Sequence, residues 1–179
     1  MAWYRNRYVG VAAILLTVSA GAAALSDRGA PEEDLQTSIA NRMRATLEQS
    51  SPEQHQHAQH ASTEQQAPPV VCGVRVYGHE PAGAADLAEV RTVYGFHLCG
   101  VAEQKRPWDV AVKLAGPVIL DLTTDPVGIQ VVEATEKVPF ADRLRQMFPA
   151  RYADAAQKEA LTGTEMADLR RRYDAAAGL

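Results

Sequence analysis

Three histidines, His55, His57 and His60, spell His-x-His-x-x-His within six residues. Neutral imidazole is a good ligand for zinc, copper or nickel, so this spacing can chelate one ion. The stretch around them, residues 50 to 69, holds five glutamines and three prolines but no Val, Ile, Leu or aromatic residue. It cannot bury enough apolar area to offset its ordering entropy, and it supplies no outer groups to fix a metal geometry. A plain polar spacer is therefore the rival reading of the same residues.

The two cysteines, Cys72 and Cys99, offer a second kind of chemistry. No Cys-x-x-Cys and no third cysteine accompanies them, so neither a redox motif nor a thiolate metal site is indicated. Each falls in a strand-like segment, Val70 to Tyr77 and Val90 to Ala102. Antiparallel pairing of these segments can set 72 opposite 99. A disulfide there closes a 27-residue span, worth about 3–4 kcal/mol in the loop-entropy account. Such a bond belongs to an oxidising compartment.

Catalytic constellations are harder to find. All six serines lie before residue 70, which removes a serine nucleophile from the C-terminal part. His79-Glu80-Pro81 departs from His-Glu-x-x-His, because glycine stands at position 83 and proline enters where a helix is needed. Asp121-Leu-Thr123-Thr-Asp125-Pro126 opens like a calcium loop. Proline holds the sixth place, which needs glycine, and Val132 holds the twelfth, which needs glutamate. There is no Gly-rich phosphate loop, no nucleophile elbow and no dinucleotide fingerprint, so no cofactor is implied. His97 and carboxylates such as Asp121 with Glu133 are the residues left to a hydrolase reading. The net charge of −4, without a clustered basic surface, argues against nucleic acid.

Four regions carry these residues. Arg5 and Arg7 precede Tyr8 to Leu25, an 18-residue run without charge. That pattern orients the N-terminus to the cytoplasm and sends the rest across the membrane. Residues 1–25 read either as a cleaved signal peptide, with small residues at Ala20-Gly21-Ala22 or Ala22-Ala23-Ala24, or as a single-pass anchor about 27 Å long. Within residues 26–49, the stretch 31–49 reads as a juxtamembrane helix, with Pro31 and three acids in its first turn. Leu35, Ile39, Met43 and Leu47 recur every four residues along it. This thin stripe can pair with a second copy or lie on a domain surface. Residues 50–69 are the flexible Gln/His/Pro linker, and 70–179 the folded domain.

Within that domain the spacing predicts an α+β fold, a small and mostly antiparallel sheet of about five strands packed with C-terminal helices. The strands are expected at 70–77, 90–102, 108–114, 118–122 and 127–133, with turns at Ala115-Gly116-Pro117 and at Thr123 to Pro126. Apolar residues on both faces of 90–102 mark it as central. Helical periodicity follows from Pro139, with Phe140, Leu144, Met147 and Phe148 on one face before Pro149. Thr162 with Glu165 makes a capping box for a last helix, whose Arg170 to Arg172 read as a solvated face. Beyond Leu169 and Tyr173 that helix offers little to bury, so its end is expected to be loosely attached.

The combination describes a binding or interaction module at the cell envelope, on the outer side of the cytoplasmic membrane or secreted. Its partners are the membrane, through the N-terminal segment, and a protein or a second copy, through residues 35–47. Tyr77, Tyr94, Phe96 and Trp108 are contact candidates if exposed, and ordinary sheet core if not. The alternatives are a carboxylate-dependent envelope hydrolase and metal capture by the histidine linker.

Overall fold

A computed structural model describes residues 30–50 and 67–179, with side chains from Asp34 onward. The proposed leader, residues 1–25, lies outside the described residues, as do His55, His57 and His60. No described helix is long and apolar enough to cross a membrane.

The chain folds as α1 (Ala30–Gln49), β1 (Val70–Glu80), β2 (Thr92–Val101), a 3-10 turn (Trp108–Val110), β3 (Lys113–Asp121), β4 (Gly128–Val131), α2 (Phe140–Met147), α3 (Ala150–Lys158) and α4 (Gly163–Ala177). The four strands form one antiparallel sheet in the order β1-β2-β3-β4, confirming the α+β class with C-terminal helices. Strand β2 is interior, as its two apolar faces require. Its Val93 and Cys99 turn toward α1, while Tyr94 and Leu98 turn toward the C-terminal helices.

Helix α1 closes one face of this sheet. Leu35, Ile39, Met43 and Leu47 are buried there with Val74, Val93, Val118 and Leu120. Residues four apart drift about 40° around a helix, so four of them cover a stripe wide enough for a sheet. Burying each is worth roughly 1.5–3 kcal/mol before ordering costs. Of the two expectations for this stripe, a second copy or a domain surface, the second holds: it lies on the chain's own strands. Without α1, the valines of β1, β2 and β3 on that face would meet water.

Five expected strands become four. The residues 108–114 do not form one strand, because Trp108–Val110 is a 3-10 turn and extended pairing begins at Lys113. Ala115-Gly116-Pro117 is no turn either, and β3 runs straight through it. The Pro117 carbonyl accepts from the Val132 N–H at 3.0 Å, so this residue faces away from β2. Its missing donor falls just beyond the β4 ladder, which ends at Val131, and the β2 ladder loses nothing. Residues 84–89 form turns between β1 and β2. There Asp86 Oδ1 accepts from the amides of Ala88 and Glu89.

The other face is covered in two parts. Pro139 and Pro149 cap α2 and α3, and Leu144, Phe148, Ala153 and Ala156 are buried with Val132. Phe140, at the rim of α2, remains 40 % exposed, unlike its three neighbours in the expected stripe. Strand β1 bulges between Val76 and Gly78, where the Tyr152 ring packs so closely that a Cβ on Gly78 would lie 2.1 Å from it. Helix α4 has the full capping box, Thr162 accepting from Glu165 N–H and Glu165 reaching back to Thr162. Its end is not loose, since Leu169, Tyr173 and Ala177 are fully buried. Tyr173 Oη donates to the Arg106 and Val101 carbonyls at 3.0 and 3.3 Å, and its ring meets Trp108 edge-on at 5.0 Å.

Candidate interaction surface

The cysteines hold together the first strand pair. Cys72 and Cys99 stand directly opposite in the β1–β2 register and form the expected disulfide, with a Cα–Cα separation of 4.0 Å. The amide of Cys72 does not bond to β2. It donates to Glu48 Oε1 at 2.9 Å, and the Cys72 carbonyl accepts from Arg172. Both backbone groups thus point out of the sheet, which makes 72–99 a non-hydrogen-bonded pair, the type in which facing side chains come closest. Arg172 also donates to Glu48 Oε1 at 2.9 Å and to Asp168 at 3.1 Å. Arg172 is accordingly no solvated-face residue: it reaches round the edge of β1 and ties α4 to α1.

Of the four aromatic candidates, Trp108 is only 7 % exposed and packs on Tyr173, so it belongs to the core. Tyr94 is half-buried, with ring centroids 5.2 Å from Phe148 and 5.3 Å from Tyr152. Tyr77 donates its hydroxyl to the Glu159 carbonyl, and burial pushes its phenol up to about 12. Beside it, Arg75 pairs with Glu159 at 2.8 Å and Glu165 at 3.3 Å. Phe96 is half-buried in β2, between Arg75 and Pro117 on the neighbouring strands. Tyr77 and Tyr94 thus fasten the C-terminal helices to the sheet.

The residues of the hydrolase reading do not converge. His97 is fully buried opposite Val74, on the α1 face. Asp121 follows the α1-facing Leu120 and so lies on the other face, opposite Thr92, five positions along β3 from the residue that pairs with His97. Its carboxylate accepts from the Thr123 hydroxyl at 2.6 Å and the Thr123 amide at 2.9 Å, which hold its pKa below the usual range. That arrangement fixes the turn after β3. Glu133 is exposed, past the end of β4. Among the described residues no group of three or more His, Cys, Asp or Glu can hold a metal ion.

A different surface emerges at β3. The Val112 carbonyl accepts from Val101 N–H at 3.0 Å, and Leu122 N–H donates to the Arg91 carbonyl at 2.8 Å. Even-numbered residues here therefore face β2, and odd-numbered ones face away. Strand β4 covers only Val118 to Asp121 of this outer side, and Val132 meets Pro117. Lys113 and Ala115 lie beyond it, both exposed, with no strand beside them among the described residues. Next to them Val110 and Val112 are 64 % and 61 % exposed, the most open large apolar residues described. Sequence reasoning missed this surface because the alternation of 108–114 imitates a buried strand. Pro117 was the available signal, since proline inside a strand pattern marks an outer edge. No protein-family model, curated protein or solved structure matches the chain.

Proposed function

We propose that this chain is an interaction module that works on the outer side of the cytoplasmic membrane, tethered by residues 1–25 or released after their removal, and that it engages a protein partner. One observation carries the reading: the exposed start of β3, whose outer side has no strand beside it among the described residues, with Val110 and Val112 next to it. Solvent-facing valines next to an uncovered strand have no role in the chain's own core, and such surfaces mark contact sites. The Arg5 and Arg7 flank of the apolar run and the Cys72–Cys99 bridge support the choice of compartment.

The test is a photo-crosslinking residue placed at Val110 of the full chain in intact cells, with the same residue at exposed Arg145 as control. A discrete heavier product from position 110 alone, recovered outside the cytosol, is the expected result. Equal labelling from both positions, or a chain found in cytosol with free thiols, contradicts the proposal.

A further inference from the structure

The chemistry of this open edge specifies its occupant. At Lys113 and Ala115 the sheet presents backbone N–H and C=O groups pointing away from β2, spaced as a strand spaces them. Another extended backbone can satisfy such a row in register, because its donors and acceptors alternate at the same repeat. The row is short by construction. The next outward residue is Pro117, which has no N–H, and past it β4 takes over.

Side chains beside the row narrow the partner further. On the α1 face an added strand lies next to half-buried Leu114 and exposed Val112, which favours an apolar residue. On the other face it lies next to Ala115 and Lys113. The Lys113 ammonium donates to the Trp108 and Ala111 carbonyls and sits 5.1 Å over the Trp108 ring. It has no carboxylate in ion-pair range among the described residues. A second copy pairing edge to edge about Leu114 would bring two Lys113 ammonium groups onto one face, where like charges oppose pairing.

We infer that β3 accepts a strand from a partner protein at Lys113–Ala115, in line with β4, and that the partner segment alternates apolar and acidic residues. This inference rests on the interaction-module reading and adds the partner's chemistry to it.

The probe is a synthetic heptapeptide of alternating valine and glutamate, with an alternating valine–lysine peptide as comparison, added to the full chain. Backbone amide exchange is read at Lys113 and Ala115. The acidic peptide is expected to slow exchange at these two amides by about tenfold or more, and the basic peptide to leave it unchanged. Two variants check the mechanism. Ala115→Pro removes an outward donor without touching the β2 ladder, as Pro117 already does, and should abolish the protection. Lys113→Glu, a surface change that does not depend on strand geometry, should transfer the preference to the basic peptide.

Absence of protection with the acidic peptide, or equal protection by both peptides, overturns the inference. So does protection without peptide that grows with protein concentration, which would assign the edge to a second copy. Crosslinking from Val110 that persists unchanged in Ala115→Pro would retain the interaction module and overturn strand addition alone.

Discussion

The two sides of this sheet treat the same problem in opposite ways. At β1, Glu48 from α1 and Arg172 from α4 meet around the strand and occupy both the amide and the carbonyl of Cys72. At β3, Lys113 and Ala115 have no strand over their outer side among the described residues, and Val110 and Val112 beside them are exposed. An unpaired strand edge invites pairing with other chains, and folds ordinarily blunt it. Among the described residues the β1 edge is tied at Cys72 by an ion pair, two helices and a disulfide, while the outer side of β3 at Lys113 and Ala115 has no such cover, and the proposed contact uses that difference.

The largest expected effect tests the closed side. Replacing both cysteines, Cys72→Ser with Cys99→Ser, should lower the unfolding free energy in urea by about 3–4 kcal/mol, the loop-entropy value for this span. A loss below about 1 kcal/mol would show that the β1 edge holds without the bridge.

Glu48→Ala comes next. It strips a hydrogen-bond partner from the Cys72 amide and from Arg172, and should cost about 1–3 kcal/mol. Glu48→Gln keeps an acceptor and should cost less. Equal losses in the two variants would mean that charge, not the hydrogen bond to the strand, closes this edge.

A third contrast is pH-dependent. The folded chain holds the Tyr77 proton up to about 12, whereas an unfolded tyrosine releases it near 10.0. Over that window the unfolded state binds fewer protons, so stability falls as pH rises. Burial raises Tyr94 and Tyr173 in the same sense. Tyr77→Phe should flatten the alkaline loss between pH 10 and 12, followed by chemical denaturation at each pH, while leaving the part due to the other two. An unchanged slope would remove Tyr77 from the interactions that fasten α3 and α4 to β1.

The smallest effect belongs to the open side. Val112→Ser should shift stability by less than about 0.5 kcal/mol, because a residue this exposed gives up little burial. A loss above about 1.5 kcal/mol would place Val112 in the core and end the contrast between the edges.

Much of the layout was readable from residue spacing. The alternation in β1 and β2, the register that pairs 72 with 99, the capping box of α4 and the break at Pro149 are all local patterns with local causes. What was not readable depended on distance. The α1 stripe announces an apolar face but not its partner, and the polar stretch 50–69 between helix and sheet carries no pairing signal. Arg172 sits in a run of three arginines that resembles a solvated face. Only the fold brings it to Glu48, 124 positions away in sequence. Ala115-Gly116-Pro117 has turn chemistry, and its strand conformation depends on which neighbour Pro117 faces. The open edge was hidden for the same reason, since edges are defined by which strands are adjacent.

The most direct test of the contrast is amide hydrogen exchange on the intact, oxidised chain without any partner. Cys72, bonded to Glu48 in the closed edge, should exchange slowly, and Lys113 and Ala115 should exchange orders of magnitude faster. Slow exchange at Lys113 and Ala115, comparable with Cys72, would mean that both edges are closed and would contradict the account.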